Sequence, residues 1–295
     1  MSVHALKPFK VATLGSEVSP EEWQARVDLA ACYRLAARRG WTDLIYTHIS
    51  LRLPGRDDAF LINAFGQTFD EITASSLLTI DFDGHVIDGS DRVANPSGFA
   101  IHGAVHRARA DAHCVIHLHT DAGIAVSALR DGLLPLSQHA MRFWRDIGYH
   151  DYQGLAFGAD EQVQLVAELG THRAMILHNH GTLTCGRTVA EAFVLMDTLE
   201  KACRIQLAAM AAGAVAMPAD TVLTRSHAQL TADPEPEGTL EWPALLRGLM
   251  RLVRRRAPVG KLIQGAGDLL DAVYIEPHDV DAERSQLIHL TLRVA

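Results

Sequence analysis

The feature that most constrains this chain is a pair of histidines, two residues apart, that follows an apolar run and occurs twice. Residues 115–120 read VIHLHT, and residues 176–181 read ILHNHG. Side chains at positions i and i+2 of a β-strand project from one face, so both imidazoles of a pair can reach one ion. A third histidine from the second run would complete a three-nitrogen site with open coordination positions. The alternative is that the histidines are packed or hydrogen-bonded within strands, but two such pairs favour a metal site.

Composition narrows the class of protein. A chain of 295 residues, 48% hydrophobic and 21% charged, is long enough for one large domain with an appendage. Its net charge of −8 and its lack of a basic region interleaved with aromatic residues argue against a nucleic-acid surface. The four cysteines form no Cys-x-x-Cys pair, which is typical of reduced thiols. Because no signal peptide and no apolar segment of about 18 residues is found, we expect a cytoplasmic protein without a membrane span.

Hydrophobic periodicity and turn residues predict the order of the elements. A first helix is predicted over residues 20–40, with Ser19 as its cap and Gly40 as its end. Further helices are predicted over residues 99–109, 160–169 and 189–212, and strands over residues 45–52, 59–63, 77–82 and 85–87 in addition to the two histidine runs. This order indicates an α/β protein in which layers of helices flank a mainly antiparallel sheet.

A further histidine pair, His102 and His106, has helical spacing. Two histidines four residues apart on a helix can bind a metal ion with the right partner. No glutamate lies between these two, and the strand pairs already supply a better set of ligands. We therefore expect His102 and His106 at the surface or behind the metal ligands, not on the metal.

Six landmarks, taken together, carry a resemblance to a known family. They are residues 45–52 (IYTHISLR), 60–66 (FLINAFG), 71–77 (EITASSL), 95–98 (NPSG), 117–120 (HLHT) and 179–183 (NHGTL). In this order they resemble the class II aldolase/adducin family over roughly residues 24–213. The resemblance implies a three-layer αβα fold with a mainly antiparallel central sheet, and a homotetramer with a divalent metal ion near subunit edges. It implies His117, His119 and His180 as the ligands and leaves His178 behind them or facing the substrate.

Departures from the family pattern bear on the substrate. Sugar-phosphate aldolases of this family have a catalytic glutamate 19 residues before the first metal histidine, where this chain has Gly98. The positions that cradle phosphate in those aldolases hold bulkier or apolar residues here, at 47–48, 63–66 and 96–97. The resemblance therefore favours the adducin-like branch and disfavours a phosphorylated sugar. The predicted substrate-binding residues are His48, Asn63, Gly66, Ser97 and His178.

The expected reaction is metal-dependent cleavage of a C–C bond, by retro-aldol reaction or decarboxylation, in a non-phosphorylated 2-oxo or 2-hydroxy acid or an aromatic carboxylate. A metal ion that such a group chelates acts as a Lewis acid. Zinc is expected first, one ion per subunit, with iron(II) or manganese as alternatives. Candidate acid/base residues, taken from polar islands between apolar segments, are His139, Tyr149, His150 and Tyr152. Two other functions stay open, an Fe(II)-dependent oxygenase acting on an arylpyruvate-type substrate and a non-catalytic adducin-like scaffold.

Three segments are predicted along the chain. Residues 1–23 form an N-terminal segment, residues 24–230 the aldolase/adducin-like domain, and residues 231–295 a linker, an amphipathic helix and an extension whose role is open. The helix ends in arginines, which we interpret as complementing the helix dipole and not as a membrane surface. The expected partners are a small-molecule substrate and further copies of the chain, with Phe143, Trp144, Tyr149 and Tyr152 as interface candidates.

Overall fold

A computed structural model describes residues 18–154 and 158–256. Its strands are β1 His48–Arg52, β2 Ala59–Ile62, β3 Leu78–Asp81, β4 Cys114–Leu118, β5 Gly148–His150, β6 Ala174–Leu177 and β7 Gly181–Gly186. They form one sheet in the order β3-β2-β1-β4-β7-β6-β5. Every neighbouring pair is antiparallel except β5 and β6. The prediction of a mainly antiparallel sheet is confirmed.

Helices cover both faces of the sheet. They are α1 Pro20–Arg39, α2 Pro96–Ala108, α3 Asp121–Ser127, α4 Gln138–Met141, α5 Ala159–Leu169, α6 Val189–Ala212, α7 Asp220–Leu230 and α8 Glu241–Arg256. Apolar residues of α1, α6 and α8 share one core cluster with alternate residues of β1 and β4. Residues of α2 and α5 form another with the intervening residues of β4, β6 and β7. The three-layer αβα arrangement is thus confirmed.

The first helix shows how local sequence signals set an element's bounds. Ser19 accepts a hydrogen bond from the backbone of Glu22 at 3.1 Å, and Pro20 occupies the first turn, where its missing N–H is not needed. Gly40 ends the helix at φ 74°, a left-handed conformation that glycine adopts without a steric penalty. Both predicted ends are confirmed, as are the bounds of α6.

Other predictions need correction or lie outside the described residues. Residues 85–87 form no strand and make a single bridge, between Ile80 and Val86. The sequence does not predict helices α3, α4 and α7 or strand β5. The elements α3, α4 and β5 are too short to give a periodic signal, and α7 buries only Leu223 and so lacks an apolar stripe. Residues 1–17, 155–157 and 257–295 lie outside the described residues, and with them most of the predicted N-terminal segment and C-terminal extension. Among the helices described, none has the length and apolar character to cross a membrane.

Alternation of side chains along β4 places apolar residues on one face of the sheet and a histidine on the other. Ile116 and Leu118 of β4 pack into the apolar core below α1 and α6. Val115 packs against α2 and α5 on the opposite face. Since neighbouring residues of a strand point to opposite faces, His117 lies on the face of Val115. The sheet thus presents the first histidine pair toward the α2 and α5 layer.

Candidate metal centre

Three histidines converge beyond the end of β4. One ring nitrogen from each of His117, His119 and His180 lies within 4.8 Å of the other two. The Nε2 atoms of His117 and His119 are 3.1 Å apart, and the three ring centroids are separated by 4.7 to 4.8 Å. Within residues 18–154 and 158–256 this is the one group of three or more histidine, cysteine or acidic side chains close enough to share a metal ion.

The outer nitrogens of two of these rings are held by acceptors. His117 Nδ1 donates to the carbonyl of Thr182 at 3.1 Å, and His119 Nδ1 donates to Oδ2 of Asp43 at 3.0 Å. An imidazole that donates through Nδ1 keeps its lone pair on Nε2, which is how metal-binding histidines are commonly oriented. Burial, the largest cause, lowers the pKa of His180 to about 4 and holds the pKa of His117 well below its usual value. Three ring nitrogens that face one another at these distances fit a divalent cation.

A tight turn delivers the third histidine. Strand β6 ends at Leu177, and Asn179 turns the chain at φ 56°, a conformation that asparagine tolerates better than most residues. His180 therefore reaches the group by a turn and not by strand alternation. His178 stays outside it, because its Nδ1 donates to the carbonyl of Ser127 at 2.9 Å and its ring stacks on Tyr149.

His48 occupies the space beside Gly98. It lies directly opposite His117 in the β1–β4 register, and its side chain is buried. A Cβ atom placed on Gly98 would come within 2.5 Å of His48 Nδ1, so the imidazole and any side chain at position 98 exclude one another. A carboxylate at position 98, as in the sugar-phosphate aldolases, is therefore incompatible with this position of His48.

His102 and His106 form a buried chain of hydrogen bonds behind His48. His106 Nδ1 donates to the carbonyl of Ala112 at 3.0 Å, which leaves its Nε2 to accept the hydroxyl proton of Ser50 at 2.7 Å. The Ser50 oxygen in turn accepts from His102 Nδ1 at 2.6 Å. Both histidines are almost completely buried. The expectation that they might lie at the surface is wrong, because their ring nitrogens find partners inside the protein.

The predicted substrate-binding residues divide into three groups. His48 lies opposite His117 in the sheet. His178 precedes His180 by two residues and bonds to Ser127. Asn63 is held away by structural hydrogen bonds, accepting from the Tyr33 hydroxyl at 2.8 Å and donating to a backbone carbonyl, and Gly66 is an exposed turn glycine at φ 97°. Ser97 lies in α2, but its side chain is outside what the structure describes.

The predicted acid/base residues differ in their distance from the centre. The ring of Tyr152 is 6.1 Å from that of His180, and its side chain is 53% exposed. Tyr149 points to the α6 side, where its hydroxyl accepts from the backbone of Leu133 at 3.2 Å. His150 is buried and donates through Nδ1 to Glu168 at 2.6 Å. His139 lies on α4 and is not a member of the three-histidine group.

An open cavity of about 670 Å³ lies beside the turn that carries His180. It is lined by Ser127, Ala128, Leu129, Arg130, Asp151, Tyr152, His178 and Asn179. Tyr152, whose ring lies 6.1 Å from that of His180, connects the cavity to the three histidines, and the cavity is large enough to admit a small organic acid.

Comparison with known proteins settles the family. The family model described as "Class II Aldolase and Adducin N-terminal domain" matches residues 27–207. The chain belongs to the class II aldolase and adducin family. A crystal structure of an aldolase II superfamily protein from Pseudomonas syringae is 48% identical, covers 82% of this chain and 98% of its own, and superposes with a TM-score of 0.79.

Two further relatives represent the two sides of the family. L-fuculose 1-phosphate aldolase from Glaciozyma antarctica is 29% identical, covers 84% of this chain and 96% of its own, and gives a TM-score of 0.71. Mouse alpha-adducin is 43% identical over 189 residues, which are 63% of this chain but 26% of that protein. The family therefore includes a protein named as an aldolase and also alpha-adducin, a much longer protein.

Asp43 and Glu168, which bond to His119 and His150, are not identified from the sequence, and Thr47 is named there only as a position that departs from the phosphate cradle. Asp43 lies 76 positions before His119, in a turn without periodic pattern. Thr47 has φ 68°, which is rare for a β-branched residue, and its buried hydroxyl has no hydrogen-bond partner among the described residues. Glu168 contacts His150 from α5. The turn residues around 40–47 give no composition signal that would have identified Asp43.

Proposed function

We propose that this protein is a metal-dependent lyase that cleaves a C–C bond in a non-phosphorylated 2-oxo or 2-hydroxy acid or aromatic carboxylate. The observation that carries the proposal is the convergence of the three histidine nitrogens, with His117 and His119 held through their outer nitrogens. Zinc is proposed first, one ion per subunit, because three nitrogen ligands with an open position are typical of catalytic zinc.

The chain's own residues would bind and orient the acid. A bound metal ion would supply a Lewis acid to the substrate oxygens. Tyr152, exposed and next to His180, is the proton donor we favour among the four acid/base candidates. His178, with Nδ1 committed to Ser127, would present its other ring nitrogen to the cavity side of the substrate.

The pairing of Gly98 with His48 supports a non-phosphorylated substrate. A glycine cannot exchange a proton with the substrate, and the imidazole fills the space in which an acidic side chain would lie. We therefore expect no efficient turnover of sugar phosphates such as fuculose or ribulose phosphate. We further propose a homotetramer, in which the exposed Tyr152 could meet a neighbouring subunit.

The test has two stages. Elemental analysis of protein purified without a histidine tag should find about one divalent ion per chain, and chelation should remove it together with activity. Protein loaded with zinc, iron(II) or manganese is then assayed with 2-oxo acids, 2-hydroxy acids, arylpyruvates and aromatic carboxylates, with and without oxygen. Efficient cleavage of a sugar phosphate would contradict the proposed substrate class.

A scaffold remains the second candidate, since 43% identity to alpha-adducin is substantial. This alternative predicts stable oligomers, no metal requirement and no turnover of any acid. Metal content and light scattering of the same preparation separate the two candidates.

A further inference from the structure

Helix α6 buries two glutamates that differ in their partners. Glu191 is completely buried, and its carboxylate accepts hydrogen bonds from the side chains of Arg173 and Arg187 and from the backbone of Arg187. Glu200 is 2% exposed and forms no ion pair within residues 18–154 and 158–256. A buried acid without a cation has lost hydration that no ion pair returns. The position of Glu200 therefore needs a reason other than the stability of the fold.

Glu200 bonds the residue that follows one of the three histidines. The hydroxyl of Thr120 donates to Glu200 Oε1, and Thr120 comes directly after His119 as the N-cap of α3. The hydroxyl oxygen accepts in turn from the backbone N–H of Gly123 at 3.2 Å. A Cβ atom on Gly123 would lie 2.7 Å from that oxygen and 3.1 Å from Glu200 Oε1, so these groups are closely packed. Burial raises the pKa of Glu200, and hydrogen bonding to Thr120 and to the backbone at Gly123 opposes the rise.

His119 lies where the main chain leaves the sheet. Strand β4 ends at Leu118, and its pairing with β7 ends at the same residue. His117 is inside β4, and His180 directly precedes β7, so the sheet itself fixes both of these positions. The ring of His119 is held by Asp43, whereas its backbone leads straight into the N-cap of α3. The contact between the N-cap and Glu200 is therefore what fixes the main chain at this point.

The other end of α3 is bonded to the turn that carries the third histidine. The carbonyl of Ser127, the last residue of α3, accepts from His178 Nδ1 at 2.9 Å and from the backbone N–H of Asn179 at 3.2 Å. His180 is the next residue along the chain. The apolar side of α3 packs with α6 in one cluster. Helix α3 thus connects the segment of His119 to that of His180, and α6 supports it along its length.

We propose that Glu200 is a positioning residue of the metal centre, which holds Thr120 and the start of α3 and so sets the place of His119 relative to His117 and His180. The inference rests on the proposed function, because that function requires the metal ion. It assigns a role to a buried acid that is not one of the proposed ligands. It also makes α6, and not the sheet alone, part of the support of the site.

Glu200→Leu removes the acceptor and the buried acid and fills a similar volume. Zinc affinity, measured by competition with a chromophoric chelator, should fall about 10–100-fold, as when other supports of a metal ligand are lost. The visible spectrum of the cobalt(II)-loaded variant should also change, since it depends on the arrangement of the ligands. The melting temperature of the chelated protein should change little, because the lost hydrogen bond and the relieved desolvation oppose one another. Wild-type zinc affinity together with a wild-type cobalt spectrum would overturn the proposal.

Glu200→Gln separates the hydrogen bond from the charge. Glutamine has nearly the same shape and keeps a side-chain carbonyl that can accept from the Thr120 hydroxyl. Zinc affinity and the cobalt spectrum should therefore return to those of the wild type. If the glutamine variant binds zinc as weakly as the leucine variant, the bond to Thr120 does not position His119 and the inference is rejected.

Glu191 provides the matched control on the same helix. Glu191→Leu leaves Arg173 and Arg187 without their acceptor, so the melting temperature should fall further than in Glu200→Leu. Zinc affinity and the cobalt spectrum of the folded protein should stay those of the wild type. Equal losses of zinc affinity in the two leucine variants would show that metal binding follows the general stability of α6, and would reject a specific role for Glu200.

Failure of this inference can be distinguished from failure of the proposed function. If the wild type binds neither zinc nor cobalt(II), the proposed function fails and the inference fails with it. If the wild type binds zinc and cleaves an acid, but Glu200→Leu matches it in zinc affinity and cobalt spectrum, only the inference fails.

Discussion

The two faces of the central sheet differ in how completely their groups are satisfied. On the face below α1 and α6, Ile49 and Leu51 of β1 pack with Ile116 and Leu118 of β4 in one apolar cluster. On the other face the same strands present His48 and His117, together with Ser50, which bonds His102 and His106. Three of the buried ring nitrogens without a partner, those of His48, His102 and His150, belong to histidines on this second face.

The difference shows how one pair of strands can serve two purposes. Burial of branched aliphatic side chains stabilises the fold on the first face, because apolar area is removed from water. On the second face, burial of polar rings without full hydrogen bonding lowers the free energy of unfolding. The well-packed first face offsets this loss. Adjacent residues of β4 should therefore give opposite kinds of defect when they are mutated.

The largest effect is expected on the histidine face. His117→Ala, and likewise His119→Ala or His180→Ala, should weaken metal binding on the order of a hundredfold or more, because one of three donors is lost. Activity should fall with it. His85→Ala is the control, since His85 is exposed and contacts only Asp81. Full metal occupancy by elemental analysis in any of the three variants would remove that histidine from the site.

The neighbouring residue should behave in the opposite way. Ile116→Ala leaves a cavity in the apolar cluster and should lower the free energy of unfolding by about 2–5 kcal/mol. Metal content per folded molecule should remain that of the wild type. Urea unfolding of the chelated protein measures the first quantity, and equilibrium dialysis the second. A selective loss of metal in this variant would show that the two faces are not independent.

Asp43 tests the support of the metal centre. Asp43→Asn removes the charged acceptor from His119 Nδ1 and should reduce zinc affinity about 10–100-fold, with little change in stability because Asp43 is partly exposed. Competition with a chromophoric chelator provides the measurement. Asp57→Asn, at an exposed turn, serves as the control. Equal affinities of the two variants would mean that the Asp43 contact has no effect on the ligand.

Gly98 tests the exclusion between position 98 and His48. Gly98→Ala should destabilise the protein by about 1–3 kcal/mol, because the new methyl group overlaps the imidazole. Gly248→Ala makes the same change in another helix, where the nearest atom, of Arg38, is 3.7 Å from the new Cβ, and should be neutral or stabilising. Gly98→Glu should likewise not create sugar-phosphate aldolase activity. A Gly98→Ala protein as stable as the wild type would show that His48 moves freely.

The last prediction concerns the dependence of stability on pH. Burial lowers the pKa of His106 to about 3, whereas an unfolded histidine titrates near 6.5. Its contribution to stability is therefore complete above about pH 6.5 and is lost progressively as the pH falls toward 3, by up to about 1.4 kcal/mol per pH unit. In chelated protein, His106→Asn should flatten the decline of stability between pH 6.5 and 4.5. His85→Asn should not flatten it, because Asp81 raises the pKa of His85 and reverses the sign.

Prediction from the sequence succeeded where a signal repeats or lies within a few residues. The caps of α1, the length of α6 and the position of the first histidine pair at the end of β4 all depend on local spacing. It failed where a contact joins distant positions. The burial of His102 and His106 depends on Ser50, more than fifty positions earlier. Their helical spacing is the same at a surface and in an interior, so no local pattern distinguishes the two.

Asp43 and Thr47 illustrate a second limit. Both lie in the irregular turn between α1 and β1, where left-handed backbone occurs at Leu44 and Thr47. A β-branched residue such as threonine disfavours left-handed backbone. Reasoning from propensities therefore misses the position at which the structure departs from them.

The pairing of His48 with His117 has a consequence for insertions and deletions. Side chains alternate along a strand, so a shift of β1 by one residue would exchange its two faces. His48 and Ser50 would then point into the apolar cluster below α1 and α6, and Ile49 would lie on the face of the three histidines. The number of residues between Gly40 and Thr47 is thus as strictly specified as the histidines. A single deletion in that turn could abolish function while every functional side chain stayed in the sequence.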